Sequence, residues 1–432
     1  MMLEEVRVGL LGLGTVGQGV VTIIQRHQEE LQNKLGCSVK LKKILVQNKE
    51  KERSVDIDKS LLTEDVNEIL LDDEIDVVIE VMGGVELTKE YLVKALQSGK
   101  HVVSANKDLI ALHGAELTKI AKENQCDLYY EASVGGGIPL LRTLNEGLSA
   151  DYITKIMGII NGTTNYILTK MSQEGSSYEE VLKQAQELGF AESDPTADVE
   201  GLDAARKMTI LAALGFSMNV NLQDVYVRGI TDVTQEDLKY CDKLGYTMKL
   251  IGLAKRDDGR VEISVEPTLL PKEHPLASVT YVYNAVYVHG NAVGERMLYG
   301  PGAGSLPTAS AVMADLVAVI KNMRLGVSGR SVREPLYECV MKEPHEIDAK
   351  YFLRLHVVDR AGTFQAMTNL FASHEISFEK LLQLPLENSG LAEVIIITHQ
   401  TNKANFDELY KKLSELDVVK SIESCYRVEG GY

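Results

Sequence analysis

From residue 6 to residue 103, short apolar runs alternate with longer stretches whose apolar residues recur at helical spacing. That is the order of strand–helix–strand units feeding a parallel sheet. The first run, 6–11, leads through Gly12-Leu13-Gly14-Thr15-Val16-Gly17 into an apolar helix face at 19–24. Strands are predicted at 41–46, 76–82 and 101–104, with a helix over 87–96. Residues 128–131 read as another strand, followed by a glycine-rich turn and a helix over 140–148. Farther on come a strand over 156–160, a polar turn Asn161–Asn165 rich in capping residues, an acidic amphipathic helix over 177–188, and apolar helices over 204–215 and 307–320. Periodicity is lost over 326–349, which gathers Gly, Ser, Pro and charge and reads as a linker. From 351 the pattern is strand, helix, strand, strand, helix, strand (351–357, 363–374, 379–385, 393–399, 404–413, 418–428), the ferredoxin-like plan.

Composition narrows the possibilities. A chain of 432 residues, 45% hydrophobic and 25% charged, is long enough for two or three domains with buried cores. Lys+Arg number 45 against 62 Asp+Glu, and a net charge of -17 argues against gripping nucleic acid or anionic lipid by general electrostatics. The five cysteines are scattered without zinc-ligand spacing, which points to a reducing, cytoplasmic setting. The uncharged run 8–25 has the length of a membrane span, but its five glycines and its Thr and Gln residues weaken that reading. Glu4 and Glu5 ahead of it do not suit a secretory signal.

Several positions carry candidate chemistry. In a dinucleotide site Gly12 allows a tight turn, Gly14 lets the backbone approach a pyrophosphate and Gly17 permits close helix–strand packing. The alternative is a glycine-rich turn of an ordinary α/β domain, and the strand before and helix after favour the cofactor. The second strand ends in Val46-Gln47-Asn48 without an acid for a ribose 2′-hydroxyl, while Lys49, Lys51 and Arg53 could meet a 2′-phosphate. That leans toward NADP or toward use of both cofactors; a solvated loop is the alternative. Lys107, just past the strand at 101–104, falls where open α/β sheets bind ligands. Glu131 with the carbonyls of Gly135–Gly137 could hold a monovalent cation, or the segment could be a plain active-site turn. Five carboxylates (Glu192, Asp194, Asp198, Glu200, Asp203) precede the apolar helix that carries Lys207. Asp203 and Lys207, at i and i+4, share a face. A surface ion pair is the commoner meaning; partial burial, which lowers a lysine pKa, would instead suit a general acid. His289 is an alternative acid or a structural histidine.

The strings Gly9–Gly17, Ser104–Lys107, Glu131–Pro139, Asn161–Ile167, Asp198–Lys207 and Gly300–Val312 occur in the order seen in homoserine dehydrogenase, which the chain resembles from about residue 6 to its end. The resemblance is to the form without an attached aspartate kinase. It implies NAD(P)-linked interconversion of L-homoserine and L-aspartate 4-semialdehyde, on the route to threonine and methionine. Lys207 would be the proton donor, Asp203 its support, and Lys107 would lie at the cofactor–substrate junction. The resemblance places Gly12, Gly14, Thr15, Val16, Gly17, Gly189 and Gly304 at the cofactor and Glu192, Asp198 and Thr163 at the substrate. It assigns a sodium site to the Glu131 side chain with the carbonyls of Val134, Gly136 and Ile138. Gln47 departs from the arginine many relatives carry there, so a preference for NADP does not simply transfer.

The implied architecture is α/β. It comprises a Rossmann-type domain (1–150 with 300–325), an α+β catalytic and dimerisation domain (151–299), the linker (326–349) and a ferredoxin-like module (350–432) that resembles an ACT domain. Relatives usually have Pro where this chain has Ala361. A homodimer or homotetramer is expected, and threonine feedback through the last module competes with a purely architectural role. Two other readings remain: a nucleotide-sensing regulator without catalysis, and another amino-acid dehydrogenase on the same scaffold.

Overall fold

The computed structural model describes residues 4–330, 334–387 and 389–430. They divide into two compact units, one of 4–156, 206–224, 284–330 and 334–339, the other of 157–205, 225–283, 340–387 and 389–430.

The first unit holds a parallel six-stranded sheet of β1 (Glu5–Leu11), β2 (Ser38–Leu45), β3 (Leu62–Thr63), β4 (Val77–Glu80), β5 (His101–Ser104) and β6 (Leu128–Tyr129), in the order 3-2-1-4-5-6. Every residue of β4 and β5 is buried, which is why these strands read as unbroken apolar runs. β3 escaped the sequence reading because two residues show no period. Helices Thr15–Arg26, Glu86–Gln97 and Lys107–Glu123 connect the strands, and Thr15–Arg26 closes the core over Val8, Leu10, Ile79 and Val103 with Val20, Val21 and Ile24.

Helix Ser305–Leu325 packs on Thr15–Arg26 in the same unit. A Cβ at Gly19 would lie 2.7 Å from the Ser305 carbonyl, so the two helices touch backbone to backbone there. The helix is long and apolar enough to cross a bilayer by length and composition, but half of that apolar window is buried, with Val312, Leu316 and Ile320 in the core of this unit. The helix expected over 140–148 is α-helical only at Leu140–Arg142. It then widens into a π-turn, in which the Leu148 N–H donates to the Thr143 carbonyl at 2.8 Å.

The second unit contains a hairpin of two twelve-residue strands, Tyr246–Asp257 with Arg260–Pro271, that the sequence reading missed. Its strands are buried on both faces, so alternation is lost. The signal was the turn: Asp258 and Gly259 have φ of +46° and +77°, the left-handed pair that a two-residue hairpin loop requires.

Strands Asp348–Val358, Phe378–Leu386, Leu391–Thr398 and Val419–Val428 with helices Thr363–Ser373 and Lys403–Ser414 form the βαββαβ arrangement. Leu353, Leu355, Phe371, Ile396, Phe406 and Leu409 make its core. Two features differ from a module on a free linker. Asp348 and Ala349 already belong to the first strand, and Met341 bridges to Val261 of the hairpin. Residues 331–333 of the expected linker lie outside the described residues.

The module's sheet also continues into the hairpin: Thr268 and Leu269 pair in parallel with Arg427 and Val428. Behind that junction lies a buried ionic cluster. Arg354 donates to Asp237 at 2.7 Å and to Glu393 at 2.9 Å, Ser424 and Tyr426 donate to Asp237, and Arg427 pairs with Glu262. An apolar substitute for one partner leaves the others charged and dry, so such clusters tie elements together strongly.

Candidate active site

The glycine turn after β1 has the geometry its spacing implied. Gly12 has φ of +101°, and a Cβ there would sit 2.9 Å from the Met82 Cα. A Cβ at Gly17 would lie 2.3 Å from the Gly12 carbonyl. Gly14 differs from both: nothing lies within 4 Å of its Cβ position, and it caps helix Thr15–Arg26. Open space above a helix N-terminus with free N–H groups is a cradle for a pyrophosphate. It lies where the strand order reverses, between β1 and β4, the ligand-binding crevice of an open α/β sheet. Gly304 caps helix Ser305–Leu325 close by, since the Ser305 hydroxyl donates to the Thr15 carbonyl at 2.7 Å.

The basic residues beyond β2 are arranged less openly than expected. The Arg53 guanidinium folds back onto the carbonyls of Asn48 (2.8 Å) and Lys51 (2.7 Å), and Gln18 holds Ser54 at 2.8 Å. Lys49 and Lys51 are exposed and Gln47 stands at the strand end.

At the ends of β4 and β5 a buried carboxylate organises the loops. Glu80 accepts from the Met82 and Gly83 N–H groups (2.9 and 3.1 Å) and from the Ser104 hydroxyl (2.6 Å). Burial pushes its pKa above the usual carboxylate range. The Ser104 oxygen accepts from the Asn106 N–H, and Asn106 donates to the Gly84 carbonyl and caps helix Lys107–Glu123. Lys107 is thereby fixed, half-buried, at the first position of that helix. The sequence offered one sign of this network, an acid closing an otherwise apolar strand.

Asp108 pairs with Arg206 at 2.7 Å. Both have a candidate lysine as immediate chain neighbour, so this pair, absent from the sequence reading, links the segments that carry Lys107 and Lys207 in the first unit. Lys207 is half-buried on helix Leu202–Phe216, one turn beyond the buried Asp203.

In the second unit Asn161 caps helix Gly162–Glu174 by accepting from the Thr164 N–H at 2.8 Å. Its amide donates to Asp198 at 2.7 Å and to Asp203 at 2.9 Å, joining two of the predicted carboxylates. The Thr163 hydroxyl donates to the Phe190 carbonyl at 2.7 Å. Glu192 is exposed on the same loop, and Gly189 turns the chain with φ of +75° after helix Tyr178–Glu187.

The Glu131 side chain is engaged differently from what the sodium assignment implies. Its two oxygens accept from the Leu141 and Arg142 N–H groups at 2.8 and 2.7 Å, capping the short helix, and the Ile138 carbonyl accepts from the Leu140 N–H at 2.8 Å. Asp315 accepts from the Glu131 N–H at 2.8 Å and from Arg142 at 2.9 Å; burial, with Glu131 adding to it, raises its pKa to about 7. His289 packs against the Thr154 hydroxyl at 2.8 Å.

A parallel sheet in the order 3-2-1-4-5-6 with a glycine cradle at its crevice and Lys107 just past a strand end is the arrangement of a nicotinamide-dependent dehydrogenase. Comparison with known proteins specifies which. The family model described as "Homoserine dehydrogenase, NAD binding domain" matches residues 12–131, and that described as "Homoserine dehydrogenase" matches 139–317. The homoserine dehydrogenase of Bacillus subtilis (strain 168) is 61% identical over 429 residues, 99% of either chain. A homoserine dehydrogenase structure from Thiobacillus denitrificans is similar with a TM-score of 0.92 at 38% identity, over 99% of both chains. A hyperthermophilic archaeal homoserine dehydrogenase in complex with NADPH has a TM-score of 0.63 at 27% identity, covering 74% of this chain and 98% of that one. The chain belongs to the homoserine dehydrogenase family, oxidoreductases that interconvert L-homoserine and L-aspartate 4-semialdehyde with a nicotinamide cofactor.

Proposed function

We propose that Lys207 is the proton donor of this reaction, supported by Asp203, with Lys107 at the junction of cofactor and substrate. The observation that carries the reading is the Asp108–Arg206 pair, an ion pair between the immediate chain neighbours of the two lysines. Bound NAD(P)H supplies the hydride. Lys207 hydrogen-bonds the aldehyde oxygen, stabilises the negative charge that grows there and gives it a proton, completing the alcohol. Asp203, oriented by Asn161, lies one turn from Lys207 on the same helix and complements its charge. Asp198, Glu192 and Thr163 bind the amino-acid end of the substrate. Following NADPH absorbance with aspartate semialdehyde tests the assignment. Lys207→Ala is expected to lose about 100-fold or more of turnover with cofactor affinity nearly unchanged, and comparable rates in the variant would reject it.

For the cofactor, Gly12, Gly14, Thr15, Val16 and Gly17 would cradle the pyrophosphate, with Gly304 and Gly189 contributing. Both NADP and NAD remain in play. Gln47 and the folded-back Arg53 temper a preference for NADP, while Lys49 and Lys51 keep a 2′-phosphate feasible. The same assay run with each cofactor decides between them.

A monovalent cation such as sodium suits the all-oxygen donor set of Val134, Gly136 and Ile138. Glu131 there supplies charge while its oxygens also serve as the helix cap.

We read the βαββαβ part as an ACT domain, with threonine feedback as the regulation it would bring, and the assembly as a homodimer or homotetramer. The domain reading is 1–150 with 300–325 for the nucleotide, 151–299 for catalysis and dimerisation, and 350–432 for the ACT fold. The five cysteines, all free, suit a cytoplasmic enzyme.

A further inference from the structure

We propose that Lys249 is a positioning residue for the active site. With Asn165 it fastens the 279–283 segment to the first turn of helix Gly162–Glu174, and so fixes the Asn161 amide that orients Asp198 and Asp203. The proposal rests on the reading of Asp203 as the support of the proton donor.

Lys249 lies on strand Tyr246–Asp257 and is 2% exposed. Among the described residues it has no ion-pair partner; its amine donates to the Asn165 Oδ1 at 2.9 Å and to the Val279 carbonyl at 2.6 Å. A methionine would fill that space without the cost of burying an amine, so what distinguishes the lysine is its donors.

Those donors join two parts of the unit that are fastened together repeatedly. The Asn165 amide, 1% exposed, donates to the carbonyls of Tyr281 (2.8 Å) and Tyr283 (3.2 Å). The Thr169 hydroxyl oxygen accepts from the Tyr281 N–H at 3.2 Å. A Cβ at Gly162 would lie 2.9 Å from the Val282 carbonyl, so helix and segment are in backbone contact. Tyr281 has φ of +55°, a left-handed conformation that a bulky residue keeps only where its surroundings over-determine it.

The other end of the same helical turn carries the candidate site. Asn161 and Asn165 are one turn apart, joined by a backbone hydrogen bond of 3.3 Å. Asn161 holds Asp198 and Asp203, while Asn165 holds the strained segment and Lys249. If the turn rotates about its axis, both sets of contacts shift together. Lys249 therefore acts on the chemistry through two amides and touches neither substrate nor cofactor.

The test compares Lys249→Met, Asn165→Asp and Asp203→Asn in the full-length enzyme. Asn165→Asp keeps the oxygen that Lys249 donates to and deletes the two donors to the segment, so it serves if Lys249→Met folds poorly. The readouts are kcat with aspartate semialdehyde, the NADPH dissociation constant by fluorescence, and amide hydrogen exchange at 161–166 and 279–283. The proposal expects kcat to fall about tenfold or more, NADPH affinity to stay within twofold, and exchange to quicken in both segments. Wild-type kcat in both positioning variants, with Asp203→Asn impaired, overturns the proposal alone. So does unchanged exchange beside a lowered kcat. Wild-type turnover in Asp203→Asn overturns the underlying reading, whatever the exchange shows.

Discussion

The Asn161 side-chain amide donates to the Asp203 carboxylate at 2.9 Å, across 42 positions of sequence, while its oxygen caps the helix that follows it. One residue thus does two jobs that can be separated. Asn161→Ala is expected to lose about 1 kcal/mol through the cap alone and to lower kcat/KM at least tenfold through the released carboxylates. Asn161→Ser, which keeps a cap acceptor, should restore most of the stability and little of the activity. Thermal unfolding and steady-state kinetics on the same preparations check the split.

Glu80 should behave as a loop organiser. Glu80→Leu leaves the Ser104 hydroxyl and two backbone N–H groups without their acceptor, an expected loss of about 3 kcal/mol, and should raise the KM for the nicotinamide cofactor. Glu80→Gln can still accept from the N–H groups and donate to Ser104. Because burial already disfavours the ionised carboxyl, that variant should unfold within about 1 kcal/mol of the wild type at neutral pH. Urea denaturation distinguishes the two.

Lys249 should leave a pH signature on stability. Burial lowers its pKa to about 8, well below the usual lysine value near 10.5. A lysine depressed in the folded state contributes its full stability above the unfolded pKa and loses it as pH falls through the folded one. Relative to Lys249→Met, the wild type is therefore expected to gain stability between about pH 8 and 10.5, on the order of 3 kcal/mol in all. The neutral amine retains two N–H donors, matching the two acceptors it faces. Denaturation of both proteins across that window measures the difference.

The C-terminal strands should resist removal. Arg354→Met leaves Asp237 and Glu393 buried without their cation, an expected loss of about 3–5 kcal/mol. A chain ending near Met341 would also strip the parallel partner from Thr268 and Leu269. Such a truncation is expected to lose activity by unfolding the hairpin unit. Threonine inhibition is therefore better tested on full-length point variants that retain the cluster, alongside titration calorimetry with threonine.

Much of this protein follows from local pattern. The apolar runs before Gly12 and through 101–104 specify parallel strands because both their faces are covered. Gly12 and Gly17 reveal themselves because no other residue suits a left-handed turn or a backbone packed at such close range. The βαββαβ order of the last segment could be read within a few residues, since each element there is long enough to show its period. The hairpin at 246–271 could not, because burial on both faces erases alternation and only Asp258-Gly259 marks the turn.

What tertiary structure alone decided are pairings between residues distant in the chain. Arg206 pairs with Asp108 of another lysine-bearing helix, and Asn161 joins carboxylates from a different loop. Glu131 turns out to cap a helix with the oxygens its motif assigned to a cation, and Arg427 merges the last strand with the hairpin. Each of these side chains is polar with several partners open to it, and spacing along the sequence cannot choose among them. For Asn161, Glu131 and Arg427 burial does, because a polar group removed from water must take whichever partner the packed backbone brings within hydrogen-bonding distance.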